Sequence, residues 1–285
     1  MIDVTLALGG GGSKGYSHLG VIRSLESRGY KIRAIAGTSA GGVAGAIYAA
    51  GYSIEEILEE IALLRQEDLF GFGRGPGLLG TKGIEQVLGR FLQGKTFSDL
   101  DIPCAVTAVD LKTMTEVVLQ KGSVLDAVMA TIAIPGIFPP RVMDDLLLVD
   151  GVVLNPVPVA VARSLAPSLP VIAVSLVPEP DCWQISSPWE TPSANPLLRP
   201  ISRLRVAKAF EVYLRSMEMT SHMLSEIRLV LEKPDLIIRP DVARIGSLDH
   251  VDILEVAKLG DLAVEQVKKE LRKIGKKQGW FSRKN

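Results

Sequence analysis

A chain of 285 residues is long enough for one large α/β domain with a sizeable core, and its 47% hydrophobic content sets it apart from disordered sequences. Its 32 basic and 32 acidic residues cancel, so no overall field recruits nucleic acid or an acidic substrate. The two cysteines, Cys104 and Cys182, lie far apart without metal-ligand spacing, which argues against a disulfide framework and fits a reducing cytosol.

In chain order, IDVTLAL reads as an apolar strand, followed by the glycine run 9–12 and a helix over KGYSHLGVIRSLESRG stopped at Gly29. KIRAIAG is a second strand, and a helix follows it through Ala50. The span from Ala34 to Tyr52 is uncharged and long enough for a membrane helix. Its Gly41-Gly42 pair and its small residues predict a buried strand, a turn and a tightly packed helix instead. The N-terminus lacks the basic, apolar and cleavage regions of a signal peptide, so a cytoplasmic protein is expected.

Ser53 and Glu56 form a capping-box pattern opening a further helix. Residues 67–83 read as a long glycine-rich apolar loop, a kind that is uncommon unless functional. IPCAVTAVDL and TEVVLQKG are two strands joined by a short turn, and Cys104 in the first reads as a buried small hydrophobe. A helix begins near Ser123, and the irregular passage AIPGIFPP follows it. LLLVDG is a strand ending in a turn. PVIAVSLVP is apolar throughout and so buried on both faces. A second long loop spans 179–200, with Trp183 and Trp189. A long amphipathic helix covers roughly 201–232, DLIIRPDV holds a last short strand, and a helix from about Ile253 runs into a basic tail. This alternation predicts a mainly parallel sheet covered on both faces.

Gly10, Gly12 and Gly15 fit G-x-G-x-x-G between a strand and a helix, which suggests a dinucleotide site. Such a site wants an acid at the end of the second strand, and IAGTSAGG has none. A Walker loop fails because Lys14 stands between Ser13 and Gly15. What the second strand does offer is Gly37-Thr38-Ser39-Ala40-Gly41, the G-x-S-x-G of a nucleophile elbow. The competing reading is a Ser/Gly turn in which Ser39 or Thr38 caps a helix.

A serine nucleophile needs a base. His18, His222 and His250 each read more simply as core or surface histidines, although the order Ser39, Asp150, His250 fits an α/β-hydrolase triad. Asp150 is the better candidate, because it ends an apolar strand and precedes Gly151, whereas Asp144 and Asp145 read as turn residues. The glycine run, Ser39 and Asp150 each follow a strand's C-terminal end, and in an open parallel sheet those ends share one edge.

GGGGSKG, GTSAGG, AIPGIFPP, VDG and EKPDLIIRPDV, in this order, resemble the patatin-like phospholipase family, on the bacterial branch near neuropathy target esterase. The likeness is strong from about Leu6 to Val161. It implies a three-layer α/β/α fold with a mainly parallel central sheet. Residues 1–165 would form the catalytic core and residues 166–285 the C-terminal part of the same domain. It implies a serine esterase acting on acyl lipids or lysophospholipids through a Ser–Asp dyad, without histidine, metal or cofactor. Ser39 would be the nucleophile and Asp150 the proton acceptor. The N–H groups of Gly10, Gly11 and Gly12 would form the oxyanion hole, with Lys14, Gly15, Gly37, Gly41 and Gly151 supporting the motifs. The family usually has Gly or Ala after Asp-Gly, where this chain has Val152. Burial beside LLLV would raise the pKa of Asp150 and make it a better base.

Other readings stand beside this one: a binding or regulatory protein of little turnover on the same fold, and the Ser–Asp–His hydrolase. The loops at 71–83 and 179–200 are expected to border an acyl pocket. From Lys268 to Lys284 the only acid is Glu270, and Trp280-Phe281 lie near the end. That composition suits peripheral contact with an anionic membrane, or equally a solvated helix end.

Overall fold

The computed structural model of the chain describes residues 1–62, 79–180 and 205–281, the side chains of 205–208 and 275–281 excepted. The chain opens with β1 (Ile2–Leu8), a 3₁₀ turn and α1 (Ser17–Ser27), then β2 (Tyr30–Thr38), α2 (Ala40–Ala49) and α3 (Ile54–Ala62). After α4 (Lys82–Leu92) come the hairpin β3 (Cys104–Asp110) and β4 (Thr115–Leu119), α5 (Val124–Thr131), and a second hairpin, β5 (Arg141–Met143) and β6 (Leu146–Asp150). α6 (Val159–Leu165), β7 (Val171–Val174), α7 (Arg205–Glu232), β8 (Leu236–Ile238), α8 (Ile253–Gln266) and α9 (Lys268–Phe281) complete it.

The strands form one sheet in the order β5-β6-β3-β2-β1-β7-β8, with β4 also on β3. The pairs β1–β2, β1–β7, β2–β3 and β7–β8 are parallel, and both hairpins and the β3–β6 pair are antiparallel. Side-chain alternation gives the sheet two unlike faces. Ala173, Ala7, Ala36 and Ala105 lie side by side across four strands on one face, where the small row lets α6 pack close through Val159 and Ala162. The neighbouring rungs put Leu6, Leu8, Ile35, Val106 and Ile172 into the larger core under α1, α2 and α8. Residues beyond 165 supply β7, which pairs with β1 inside the sheet.

The Ser53–Glu56 box opens α3, with Ser53 N–H donating to Glu56 Oε2 at 2.8 Å. Cys104 is 4% exposed, and burial pushes its thiol up to about 12, which keeps it an inert apolar filler. Cys182, and the expected loops at 67–83 and 179–200, fall almost wholly outside the described residues; Gly83 itself belongs to α4. The basic tail is not simply a solvated end. α9 sends Leu271 and Ile274 into the main core, because two apolar residues three apart share a helix face. No helix among the described residues is long and apolar enough to cross a membrane.

Candidate active site

The register of β3 brings the two key side chains together. β4 occupies one edge of β3 from Val106 to Asp110. On the other edge β2 ends with Thr38 opposite Thr107, and β6 comes in from the opposite direction to put Asp150 opposite Ala108. Ser39, next after Thr38, therefore meets Asp150 end to end. The shared-edge expectation assumed three parallel strands, and here it needs correction: β6 is antiparallel. Asp150 reaches the same level only because β6 starts beyond the end of β2 and stops where β2 stops.

Ser39 precedes α2 with φ 52° and ψ −124°, and its side chain makes no capping bond. A capping serine would lie in the β region and accept a bond from the first turn. The other non-glycine residues with positive φ among the described residues, Met114, Asp144 and Lys233, sit at exposed turns, whereas Ser39 is buried. A strained backbone at a buried serine is the geometry of an elbow that aims a hydroxyl. Close glycine contacts permit the bend. A Cβ on Gly41 would stand 2.2 Å from the Leu8 carbonyl oxygen, and one on Gly37 would stand 2.4 Å from that of Gly41. Gly15 packs against Ala40 and Gly151 against Thr107 just as closely.

Asp150 is fully buried. Its Oδ1 accepts the Val152 N–H at 2.9 Å, and its Oδ2 has no partner of hydrogen-bond geometry. Burial pushes the carboxyl up to about 7, against the smaller opposing effects of the Ser39 hydroxyl and the Val152 N–H. A free aspartate is mostly ionised well below neutrality, so this site makes Asp150 a far stronger base than usual.

The glycine loop starts at the end of β1. Gly12 adopts φ 57°, and a Cβ there would lie 1.9 Å from the Ser247 carbonyl oxygen. The N–H of Gly10 donates to the Pro156 carbonyl at 3.0 Å, so Gly10 drops out of the expected set of oxyanion donors. Its own contribution is space, since a Cβ on Gly10 would stand 2.4 Å from Val152 Cγ1 and 3.2 Å from Ser39 Cβ. No hydrogen bond among the described residues takes the N–H of Gly11 or Gly12. Lys14 is 4% exposed, with Nζ 3.3 Å from Glu218 Oε1 on α7.

The histidines do not complete a triad. His18 Nε2 lies 2.7 Å from the Gly9 carbonyl oxygen, and burial lowers its pKa to about 4, so it is neutral and anchors the glycine loop. His222 faces Glu218 at 3.9 Å, with its pKa lowered mainly by burial. His250 is exposed and makes no bond to Asp150, which removes the Ser39–Asp150–His250 arrangement.

A mostly apolar cavity of about 220 Å³ opens at Ser39. One wall is a stripe of α2, Ala40, Val43 and Ala44, and another is the matching stripe of α4, Ile84, Val87 and Leu88. The cavity-facing stripe of α4 went unread in the sequence, as did three buried threonines around the elbow: Thr38, Thr107 and Thr131. A hydroxyl inside an apolar strand or helix end needs a partner, and AVTAVD and VMATIAIP carried that signal.

Residues 6–163 match the family described as Patatin-like phospholipase. The chain belongs to the patatin-like phospholipase family. An uncharacterized NTE family protein of Mycobacterium tuberculosis is 37% identical over 177 residues, covering 61% of this chain and 49% of that protein. Patatin-like phospholipase domain-containing protein 6 of Homo sapiens is 30% identical over 189 residues, covering 61% of this chain and 13% of that protein. The chain thus spans half or less of these curated relatives. Among solved structures, VipD from Legionella pneumophila aligns with TM-score 0.58 at 15% identity, over 93% of this chain and 66% of that one, which shows a shared fold.

Proposed function

We propose that this chain is a serine hydrolase of acyl lipids that works through a Ser39–Asp150 dyad. The observation carrying the proposal is the end-to-end meeting of a strained, uncapped serine that lines an apolar cavity and a buried, partly unpartnered aspartate at the strand end beside it. The acyl chain lies between the α2 and α4 stripes, which recognise it by burial alone and so accept lysophospholipids and other acyl esters. As Ser39 Oγ attacks the ester carbonyl carbon, its proton passes to Asp150 Oδ2. The carbonyl oxygen becomes an oxyanion held by the N–H groups of Gly11 and Gly12, and the buried Lys14 ammonium adds positive potential to the same loop. Collapse breaks the ester C–O bond, and the leaving alcohol takes the proton from Asp150. Water then attacks the acyl-serine by the same route and releases the fatty acid. No histidine is required, because a carboxyl near 7 is already about half ionised at neutral pH.

We place the protein in the cytoplasm, in peripheral contact with anionic membrane through the basic part of α9, where each cation near the surface contributes roughly 1 kcal/mol.

The test is intact mass after treatment with a fluorophosphonate. The expected result is one covalent adduct on the wild type and none on Ser39→Ala. A wild type that stays unlabelled while folded would favour the binding-protein reading.

A further inference from the structure

The end of α5 grips both members of the dyad. Ser39 N–H donates to Thr131 Oγ1 at 2.8 Å, and two residues later the Ala133 carbonyl accepts the Asp150 N–H at 3.0 Å. Thr131 is fully buried, so its hydroxyl has no water to turn to. Its bonding direction is fixed. Thr131 Oγ1 lies 2.6 Å from the Thr107 carbonyl oxygen, which can only accept, so the single hydroxyl proton goes there. A lone pair is left for the Ser39 N–H, which can only donate. Thr107 is the β3 residue opposite Thr38, immediately before the residue opposite Asp150. A second bonded chain runs from the same rung. Thr38 Oγ1 donates to the Asn155 carbonyl at 2.8 Å and therefore accepts from Thr107 Oγ1 at 2.6 Å. The methyl group of Thr131 rests beside Gly42, where a Cβ would come within 3.0 Å of Cγ2. Neither rotation nor translation of the threonine is free.

We infer that Thr131 is a positioning residue for the nucleophile. Its hydroxyl ties the strained Ser39 backbone to the strand edge that carries Asp150, and so fixes the approach of Oγ to Oδ2. Without that tie, Ser39 has a hydrogen-bonded strand on its N-terminal side and a helix on its C-terminal side. The strand, the helix and the Val43 N–H on the Ser39 carbonyl then remain as restraints, but none of them holds the Ser39 N–H, so its positive φ is freer to relax toward an ordinary capping conformation. This inference rests on the proposed dyad.

Thr131→Val keeps the shape and removes the hydroxyl. The expected result is a fall in kcat, and in the fluorophosphonate labelling rate, of roughly 10- to 100-fold, the scale of a misplaced reacting group. KM should stay within about threefold, because binding in the apolar cavity is untouched. The midpoint of the pH–rate profile should move little, and upward if at all, since the Asp150 carboxyl keeps its burial and the Val152 bond and loses only the smaller lowering effect of the Ser39 hydroxyl. Valine leaves two buried polar groups unpaired, and if that variant does not fold, Thr131→Ser and Thr131→Ala decide. Both lose the methyl group and differ only in the hydroxyl. Serine should stay within a few-fold of wild type, and alanine should show the 10- to 100-fold loss. Equal labelling rates per folded molecule for Ser and Ala, or a loss that merely follows Tm, would overturn the positioning role. An unlabelled wild type would instead overturn the dyad itself.

Discussion

Two aspartates stand two rungs apart on the antiparallel pair β3–β6, and their surroundings drive them in opposite directions. Asp110, at the end of β3, faces the turn into β4. Its carboxylate accepts the N–H groups of Leu147, Lys112 and Thr113 and the Thr113 hydroxyl, which hold it down at about 2. Asp150, at the end of β6, receives one N–H, keeps an unpartnered oxygen and is pushed up to about 7 by burial. A carboxylate whose lone pairs are filled is a fixed anion that organises a turn. A buried one with an empty lone pair is ready to take a proton. The difference between a turn-organising acid and the base of the proposed dyad lies in the number of donors that the local backbone supplies.

The largest expected effect tests that division directly. On the proposed mechanism Asp150→Asn removes the base that serves Ser39, and ester hydrolysis should fall about a thousandfold or more. Asp110→Asn should leave the rate within about threefold of wild type. Initial rates on a soluble short-chain ester, with circular dichroism to establish folding, measure both. A comparable loss in the two variants would break the contrast, because it would make Asp110 part of the reaction.

Stability should separate the two acids by sign as well as size. Asp150 has a folded pKa above its unfolded value, so its ionisation opposes folding. That cost is absent at pH below the unfolded value near 3.8, grows as the pH rises, and is complete above about 7. Asp150→Asn should therefore raise Tm at pH 8, by an amount equivalent to a few kcal/mol at most, and change it little at pH 4. Asp110 has a folded pKa below its unfolded value. Its contribution is present above about 3.8 and lost as the pH falls through about 2. Asp110→Asn should lower Tm at pH 7, with a difference that shrinks in acid. Thermal melts across pH 3 to 8 check both signs. Parallel shifts in the two variants would mean that burial at Asp150 is relieved in solution.

The sequence showed one half of this contrast and hid the other. Both aspartates follow valine at a strand end, and Gly151 after Asp150 drew attention to it. Asp110 in AVDLKT gave no sign of its own role, because its donors are spread over the next turn and over Leu147, far along the chain. Alternation of apolar strands and helices was enough for the layered sheet, since each element announces its buried face locally. Strand direction was not legible. LLLVD is short and apolar whichever way it runs, and only pairing with β3 makes it antiparallel. The elbow was readable as G-x-S-x-G, yet its distinction from a helix cap depends on φ at Ser39, which no spacing reveals. Gly10 looked like an oxyanion donor because donors and spacers are both glycines. Its bond to Pro156 joins two segments almost 150 residues apart. The tail's composition concealed Leu271 and Ile274 as core residues, because two apolar side chains amid many cations make a weak pattern.

The smallest expected effect concerns Val152, where this chain departs from the glycine or alanine usual after Asp-Gly in the family. Its N–H is the one backbone donor to the Asp150 carboxyl among the described residues, while its side chain presses toward Gly10. These are separable jobs. The N–H opposes the rise of the Asp150 pKa, and every residue except proline supplies it. The side chain fills the space beside Gly10, which an alanine would leave partly open without reaching the carboxyl. Val152→Ala should therefore keep the pH–rate midpoint near 7 and change kcat by less than about threefold. It should also make room for a methyl group at position 10, so Gly10→Ala should cost less activity in the Val152→Ala background than in the wild type. A pH–rate series on the single variant and a double-mutant cycle on the pair measure these effects. A midpoint that drops well below 7 would show that the valine side chain, and not the depth of the strand edge, keeps water from Asp150. The contrast with Asp110 would then rest on one side chain instead of on the count of backbone donors.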